Sequence, residues 1–292
     1  AVVEAPLTLE DLHQRLNLWE SEAPPKENRE GFKREILEFL KDENSSKELV
    51  LVNYKVSELP DIFEYPVFSQ KLEKLNLSHN PITLLPESIG RCKALKELNL
   101  FSTQILSLPE SIIKCTNLEV LNLTSSFILS LPDQIGQCVA LKKIIMKDTK
   151  VAFLPDSIGN CLALEELDLT LTRVNSLPES IGNCVALKKL TIAYNWIRSL
   201  PDSIGQLQNL TSLYLYKSGV MSLPNSILEL PRACHIEISR SSLSEDVETR
   251  LRTLAREEGY NGPQFQFSMT RRKLPRQQAL SVEQLIDGLY KA

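Results

Sequence analysis

The chain of 292 residues is poor in the groups that chemistry usually needs. Three histidines leave scant material for imidazole catalysis or metal ligation. No Gly-rich phosphate loop, HExxH, GxSxG or paired Cys–His motif occurs, so the common sequence marks of nucleotide, zinc-hydrolase and serine-hydrolase sites are missing. No run approaches the roughly 18 apolar residues of a membrane helix. Basic character is also lacking. The 33 Lys and Arg against 37 Asp and Glu give a net charge of −4, which disfavours nucleic acid as a partner. The expectation is therefore no cofactor, no metal, no nucleic acid and no membrane. The chain begins Ala1-Val2-Val3-Glu4, without Met or a basic n-region. It reads as a piece of something longer, without a signal peptide. A hydrophobic share of 42% with 24% charge fits a soluble globular protein and excludes disordered and collagen-like classes.

What the chain does have is repetition. The dipeptide Leu-Pro recurs with its proline at 60, 86, 109, 132, 155, 178, 201 and 224, with a first gap of 26 and every later gap of 23. In phase with it run Leu75-Asn76-Leu77, Leu98-Asn99-Leu100, Leu121-Asn122-Leu123 and Ile144-Ile145-Met146. Leu167-Asp168-Leu169, Leu190-Thr191-Ile192, Leu213-Tyr214-Leu215 and Ile236-Glu237-Ile238 continue the series, and Leu49-Val50-Leu51 precedes it. This is the pattern of a leucine-rich repeat array. Leucines alternating with polar residues make a half-buried strand, and stacked units make a parallel sheet over a shared core. The expected fold is an α/β repeat solenoid, a leucine-rich repeat horseshoe with a parallel concave sheet and a helical cap at each end. Its boundaries fall at 1–46 for the N-terminal cap, 47–243 for about nine units, and 244–292 for a C-terminal cap and linker. Pro at the start of each return segment suits the first turn of a helix, and Ser107-Leu108-Pro109-Glu110 has the spacing of a capping box.

Two departures from the common unit carry information. The turn position holds Asn only at Asn80 and Asn195; elsewhere it is Thr103, Ser126, Thr149, Thr172, Ser218 or Ser241, residues able to make a shorter version of the turn hydrogen bond. Five of the six cysteines, at 92, 115, 138, 161 and 184, also keep the 23-residue period, at the site of Leu207 in the seventh unit. A metal or redox ladder needs mixed ligands or close CxxC spacing. Neither is present, so small buried apolar residues on the convex side are expected. Reduced thiols point to a cytosolic setting. Sequons at Asn76, Asn122 and Asn209 fall in or beside core segments, where a glycan is awkward.

The ends differ in kind. Leu9, Leu12, Leu16 and Trp19 repeat at helix spacing, Ala23-Pro24-Pro25 breaks the run, and Phe32, Ile36, Leu37, Phe39 and Leu40 resume it. A solenoid needs its first core layer covered, so residues 7–41 are expected to be the cap, with a partner-binding amphipathic helix as the alternative. A helix is expected from Ser244 to about Glu258, stopped by Gly259, then an extended segment through Phe267. The basic stretch Arg271-Arg272-Lys273 with Arg276 reads as a solvated linker, followed by a weak helix from Val282 to Leu289.

The segment Leu230-Pro231-Arg232-Ala233-Cys234, then Leu243-Ser244 and Gly259-Tyr260-Asn261-Gly262-Pro263-Gln264-Phe265, is similar to the junction between repeats and catalytic domain in bacterial NEL-type (novel ligase) ubiquitin-ligase effectors. That resemblance implies a helical N-terminal region, delivery into a host cell and repeats that select a host protein. It also implies a catalytic cysteine in a Cys-x-Asp context. None of Cys92, Cys115, Cys138, Cys161, Cys184 or Cys234 has Asp two positions on. The chain is thus expected to be no enzyme by itself and to stop before such a domain. The alternative is a non-catalytic signalling scaffold in the cytoplasm.

Surface chemistry remains. Strand alternation places three columns on the concave face, including Lys143, then Ile145 and Tyr214, then Phe101, Lys147 and Tyr216. Just beyond lie Leu171, Tyr194 and Lys217, and Trp196 follows a turn Asn. Exposed aromatic and apolar side chains are common interface anchors; the alternative is packing across the sheet. The candidate protein-contact set is Phe101, Lys143, Ile145, Lys147, Leu171, Tyr194, Trp196, Tyr214, Tyr216 and Lys217.

Overall fold

Thr8 opens the first helix. Its hydroxyl accepts from the Asp11 N–H at 3.1 Å, and the Asp11 carboxylate accepts from the Thr8 N–H at 3.0 Å. This reciprocal capping box fixes the start of α1 (Leu9–Ser21), which buries Leu12, Leu16 and Trp19. The expected break at Ala23-Pro24-Pro25 leads into α2 (Arg29–Lys41), which buries Phe32, Ile36 and Phe39. A buried guanidinium closes the hairpin. Arg29 donates to the Trp19 carbonyl at 2.5 Å, pairs with Glu27 at 2.6 Å and lies 4.7 Å from the Trp19 ring centroid. Glu27 also accepts from the Ser57 N–H at 3.0 Å, tying the hairpin to the first coil. Burial pushes the Glu27 carboxyl up, but hydrogen bonds from Ser57 and Arg29 outweigh it and hold the group below its ordinary value.

The structure is a computed structural model and describes residues 7–41 and 47–267. The basic stretch near Arg271 and the expected helix at Val282 lie outside the described residues. The chain forms two compact units, Ala1–Val151 and Ala152–Ala292.

In the first unit the strands are β1 (Glu48–Val50), β2 (Lys74–Asn76), β3 (Glu97–Asn99), β4 (Val120–Asn122) and β5 (Lys143–Ile145). Each pairs in parallel with the next, and from β2 onward the matched residues are one repeat apart. In the second unit β6 (Glu166–Asp168), β7 (Lys189–Thr191), β8 (Ser212–Tyr214) and β9 (His235–Glu237) do the same, and β10 (Gln264–Gln266) adds in parallel to β9 from outside the repeat period. The middle residue of each strand from β1 to β9 is buried and its neighbours are open, as the alternating pattern requires.

The return segments are tighter than the expected α-helix. They are 3₁₀ helices, such as Glu87–Arg91 and Glu110–Lys114 in the first unit and Glu179–Asn183 and Asp202–Gln206 in the second. Proline occupies the cap itself, with no side-chain cap bond. The expected Ser107–Glu110 capping box does not form. The first coil, three residues longer than the others, instead carries α3 (Pro66–Lys71).

Stacking of these segments depends on glycine. A Cβ on Gly182 would sit 2.6 Å from the Ser203 carbonyl oxygen, and one on Gly90 would sit 2.4 Å from that of Ser111. In the second repeat the matching residue is Ile113, it faces Gln134 rather than Ser, and the next 3₁₀ helix shrinks to Ile135–Gln137.

The turn residues behave in two ways. Asn80 donates to the Leu51 and Leu77 carbonyls at 2.6 and 3.0 Å and accepts from the Tyr54 N–H at 2.9 Å. Thr103, Thr149 and Thr172 donate to the carbonyl three residues back, each at 2.8 Å. The hydroxyls of Ser126, Ser218 and Ser241 find no protein partner, so the shorter hydrogen bond expected of them is made only by the threonines. The smaller serine lacks the γ-methyl that limits the hydroxyl's rotamer.

At the C-terminal end Ser244 accepts from the Val247 N–H at 3.3 Å and starts α4 (Glu245–Leu254). This helix stops short of the expected Glu258. Gly259, at φ 89°, then supplies a left-handed turn that only glycine adopts freely, and β10 follows.

Candidate protein-recognition face

Each coil displays a three-residue strand and then turns. In the strand's third position Asn76, Asn99 and Asn122 each use Oδ1 to accept from the backbone N–H two residues on, at 3.1, 3.0 and 3.1 Å. Asp168 does the same toward Thr170 at 2.9 Å. These polar side chains are spent on shaping the turn.

The turn then passes through the left-handed region. Ser102, Ser125 and Asp148 in the first unit and Leu171, Tyr194, Lys217 and Arg240 in the second all have φ between 50° and 58°. Alternation alone would turn this position inward. The positive φ turns it back out. Ser and Asp sit there at modest cost, but a bulky side chain at φ > 0 is an outlier. Leu171 at 46% and Tyr194 at 42% exposure therefore occupy strained backbone without the reward of burial.

Around Tyr194 the second unit gathers a compact aromatic–cation group. The Tyr194 and Tyr216 ring centroids are 5.4 Å apart at 67°, an edge-to-face arrangement. The Lys217 ammonium lies 5.1 Å from the first ring and 5.6 Å from the second, within cation–π range. Tyr214 stands half-buried on β8, two residues before Tyr216. Trp196 is 73% exposed. Its register mate in the following coil is Gly219, where a Cβ would lie 3.3 Å from the Trp196 carbonyl carbon. No side chain covers the indole from that side.

In the first unit the remaining candidates do not form such a group. Phe101 is half-buried and meets His79 edge to face at 4.8 Å. Lys143 and Lys147 are exposed and Ile145 is half-buried between them. A separate apolar display on the flank was not anticipated: Leu84, Leu106 and Leu129 are 65%, 48% and 49% exposed, and Lys150 lies 4.3 Å over the Phe127 ring. Phe127 occupies the same register as Trp196, which was the signal available for finding it. In the second unit Arg240, the register mate of Lys217, is a further exposed cation beyond the anticipated set.

Charge elsewhere on the strands cancels between neighbours. Lys74 pairs with Glu97 and Lys96 with Glu73 in the first unit, and Lys189 pairs with Glu166 in the second, at 2.6, 2.7 and 2.7 Å. Glu73 is clasped by Lys47 as well, and these hydrogen bonds lower its pKa to about 2. Among the described residues no group of three or more His, Cys, Asp or Glu is placed to hold a metal, and no helix is long and apolar enough to cross a membrane. All six cysteines are buried thiols outside any disulfide.

Fold and repeat together define a leucine-rich repeat solenoid. A sequence model of the Leucine Rich Repeat family matches residues 71–92. No curated protein sequence matches the chain. Among solved structures it is similar to a Shigella effector leucine-rich repeat domain, at 25% identity over 90% of this chain and 99% of that one, with TM-score 0.62. YopM from Yersinia enterocolitica shares the fold at 24% identity, 79% and 46% coverage and TM-score 0.62. The plant peptide hormone receptor RGFR1, in complex with RGF2, is 26% identical over 66% of this chain and 31% of that one, with TM-score 0.57.

Proposed function

We propose that the chain recognises a protein through the concave side of its second unit, as the substrate-selecting part of a bacterial ubiquitin-ligase effector acting in the host cytoplasm. The observation that carries this reading is the Tyr194–Tyr216–Lys217 cluster, exposed beside Leu171 and Trp196. Aromatic residues are enriched at interface hot spots, and here two of the anchors are held at strained backbone positions that folding alone does not reward. The Shigella effector neighbour, matched along nearly its whole length, supports the bacterial setting, and the receptor bound to a peptide hormone supports peptide or protein recognition by such repeats. The junction-like segment at residues 230–265 supports a catalytic domain elsewhere in the same polypeptide. The contact residues are Leu171, Tyr194, Trp196, Tyr214, Tyr216 and Lys217, with Phe101, Lys143, Ile145 and Lys147 as a further contact set on the first unit.

The chain itself does no chemistry in this reading. Transfer through a thioester needs an accessible, activated cysteine. Burial instead pushes the Cys115 and Cys184 thiols up to about 11 and those of Cys161 and Cys234 to about 12. Cys234 precedes His235, but one side chain is buried and the other half-exposed on β9, so they form no dyad. The test is single-turnover discharge of a ubiquitin-charged conjugating enzyme by residues 1–292 and by the longer parent. Discharge by the parent alone supports the ligase reading. An inactive parent, tested with and without its target, returns the chain to the scaffold reading.

A further inference from the structure

The N-terminal hairpin leaves a groove that the repeats do not use. Leu9 of α1, Leu37 and Leu40 of α2, and Tyr65 and Val67 at the start of α3 enclose about 580 Å³. That size and lining match small-molecule sites, which run roughly 300–1,000 Å³ and are mostly apolar with a few polar groups. The polar contributors are His13, Lys41, Lys71 and Gln70, and among the described residues no carboxylate lines the groove. Lys41 does pair with Glu38 at 2.7 Å, but both side chains are more than half exposed, and such pairs are weak and readily exchanged. The Lys71 ammonium sits 5.1 Å from the Phe39 ring centroid. Leu9 heads the apolar stripe of α1, yet it is 49% exposed while Leu12 and Leu16 are fully buried.

An apolar cleft with basic groups at its rim is complementary to an anion that carries a hydrocarbon chain. A partner helix, about 10–12 Å across with its side chains, asks for a longer furrow than these nine residues delimit. We propose that the groove binds a free fatty carboxylate, with its chain along Leu9, Leu37, Leu40 and Val67 and its head among His13, Lys41 and Lys71. This site is independent of the concave face and does not rest on the function proposed for it.

Calorimetric titration with dodecanoate below its micelle concentration tests the assignment, with decanoate and dodecyltrimethylammonium as comparators. Dodecanoate is expected to bind one to one. Decanoate binds up to about fifteenfold more weakly, because two buried methylenes are lost, and the cationic surfactant at least tenfold more weakly. Leu9→Glu, at a position already half in water, and Lys41→Glu, on an exposed side chain, each weaken dodecanoate at least fivefold while the melting temperature stays within about 2 °C. Equal binding of both headgroups, or unchanged binding in both variants, overturns the site. So does an acidic amphipathic peptide that binds there while dodecanoate does not, since the groove then belongs to a protein partner.

Discussion

Tyr194 and Tyr216 are joined twice, by a backbone hydrogen bond from the Tyr194 N–H to the Tyr216 carbonyl at 3.1 Å and by their rings, edge to face at 5.4 Å. The backbone link is part of the coil-to-coil ladder and survives any side-chain change. The rings are partly open to water, so their loss removes little core. Tyr194→Ala with Tyr216→Ala is expected to weaken a true protein target by more than about 1–2 kcal/mol, the range of interface anchors. Stability should fall by no more than the roughly 0.5–1.5 kcal/mol of an aromatic pair. A large loss of stability with unchanged affinity returns the rings to packing.

Leu171 gives the opposite signature. At φ 58° a leucine carries a conformational cost of roughly 1–2 kcal/mol that asparagine largely avoids. Its side chain is 46% exposed, so little burial is forfeited on replacement. Leu171→Asn is expected to raise stability by about 0.5–1 kcal/mol and to weaken target binding. Denaturant titration beside a binding assay checks both. A variant that is more stable and binds unchanged takes Leu171 out of the contact set.

The strands and the cap helices were readable because leucine recurs with one period and the apolar residues of α1 and α2 with another. Each LxL segment of the series landed on a strand. Other features carry no such periodic signal. α3 is six residues long, too short for helical periodicity. The 3₁₀ geometry comes from coil-to-coil closeness, seen in Gly182 against Ser203, rather than from a local preference. Asp148 hints at a left-handed turn, but Leu171 and Tyr194 in the same register hide it, because tertiary context sets φ there against intrinsic preference. Arg29 and Glu27 read as surface charges in the run Lys26-Glu27-Asn28-Arg29-Glu30, and only the fold buries them. The outward positions of the strands were legible; the clustering of Tyr194, Tyr216 and Lys217 was not, since it depends on the positive φ at Tyr194 and Lys217 and on side-chain packing between the three.

Glu73 predicts a pH dependence at the first unit. Held between Lys47 at 2.6 Å and Lys96 at 2.7 Å, its folded-state pKa is lowered from 4.5 to about 2. A depressed carboxylate contributes stability that is fully present above the unfolded value and is lost as pH falls through the folded one. The contribution should therefore fade between about pH 4.5 and pH 2. Glu73→Gln is expected to be less stable than the parent at pH 7 and to converge with it toward pH 2. The pairs are solvent-accessible, so added salt should shrink the gap at neutral pH. A difference that holds constant from pH 7 to pH 2 assigns the effect to packing instead.

The cysteine ladder yields the last prediction. Cys92, Cys115, Cys138, Cys161 and Cys184 each cap the C-terminal end of a 3₁₀ helix, and all five are fully buried. Burial keeps Cys92, Cys115, Cys161 and Cys184 protonated. Desolvation raises the thiol pKa, to about 11 at Cys115 and Cys184 and about 12 at Cys161. The Cys115 and Cys184 thiols also donate to the Ile89 and Ile158 carbonyls of the preceding coil, each at 3.3 Å. Reaction with an aromatic disulfide reagent requires the thiolate, which at pH 8 is on the order of a thousandth of a thiol with pKa 11. Burial adds the requirement that the coil open first, so the rate in native protein should follow local unfolding. The five thiols are expected to label slowly in native protein, and all six to react at once in denaturant. Because opening limits the rate, labelling should accelerate in mild urea well before global unfolding if single coils open alone, and only at the main transition if each unit opens as a whole. Rapid native labelling at several of the five positions, or one zinc ion retained per chain after dialysis, would show that the ladder is reachable and chemically active.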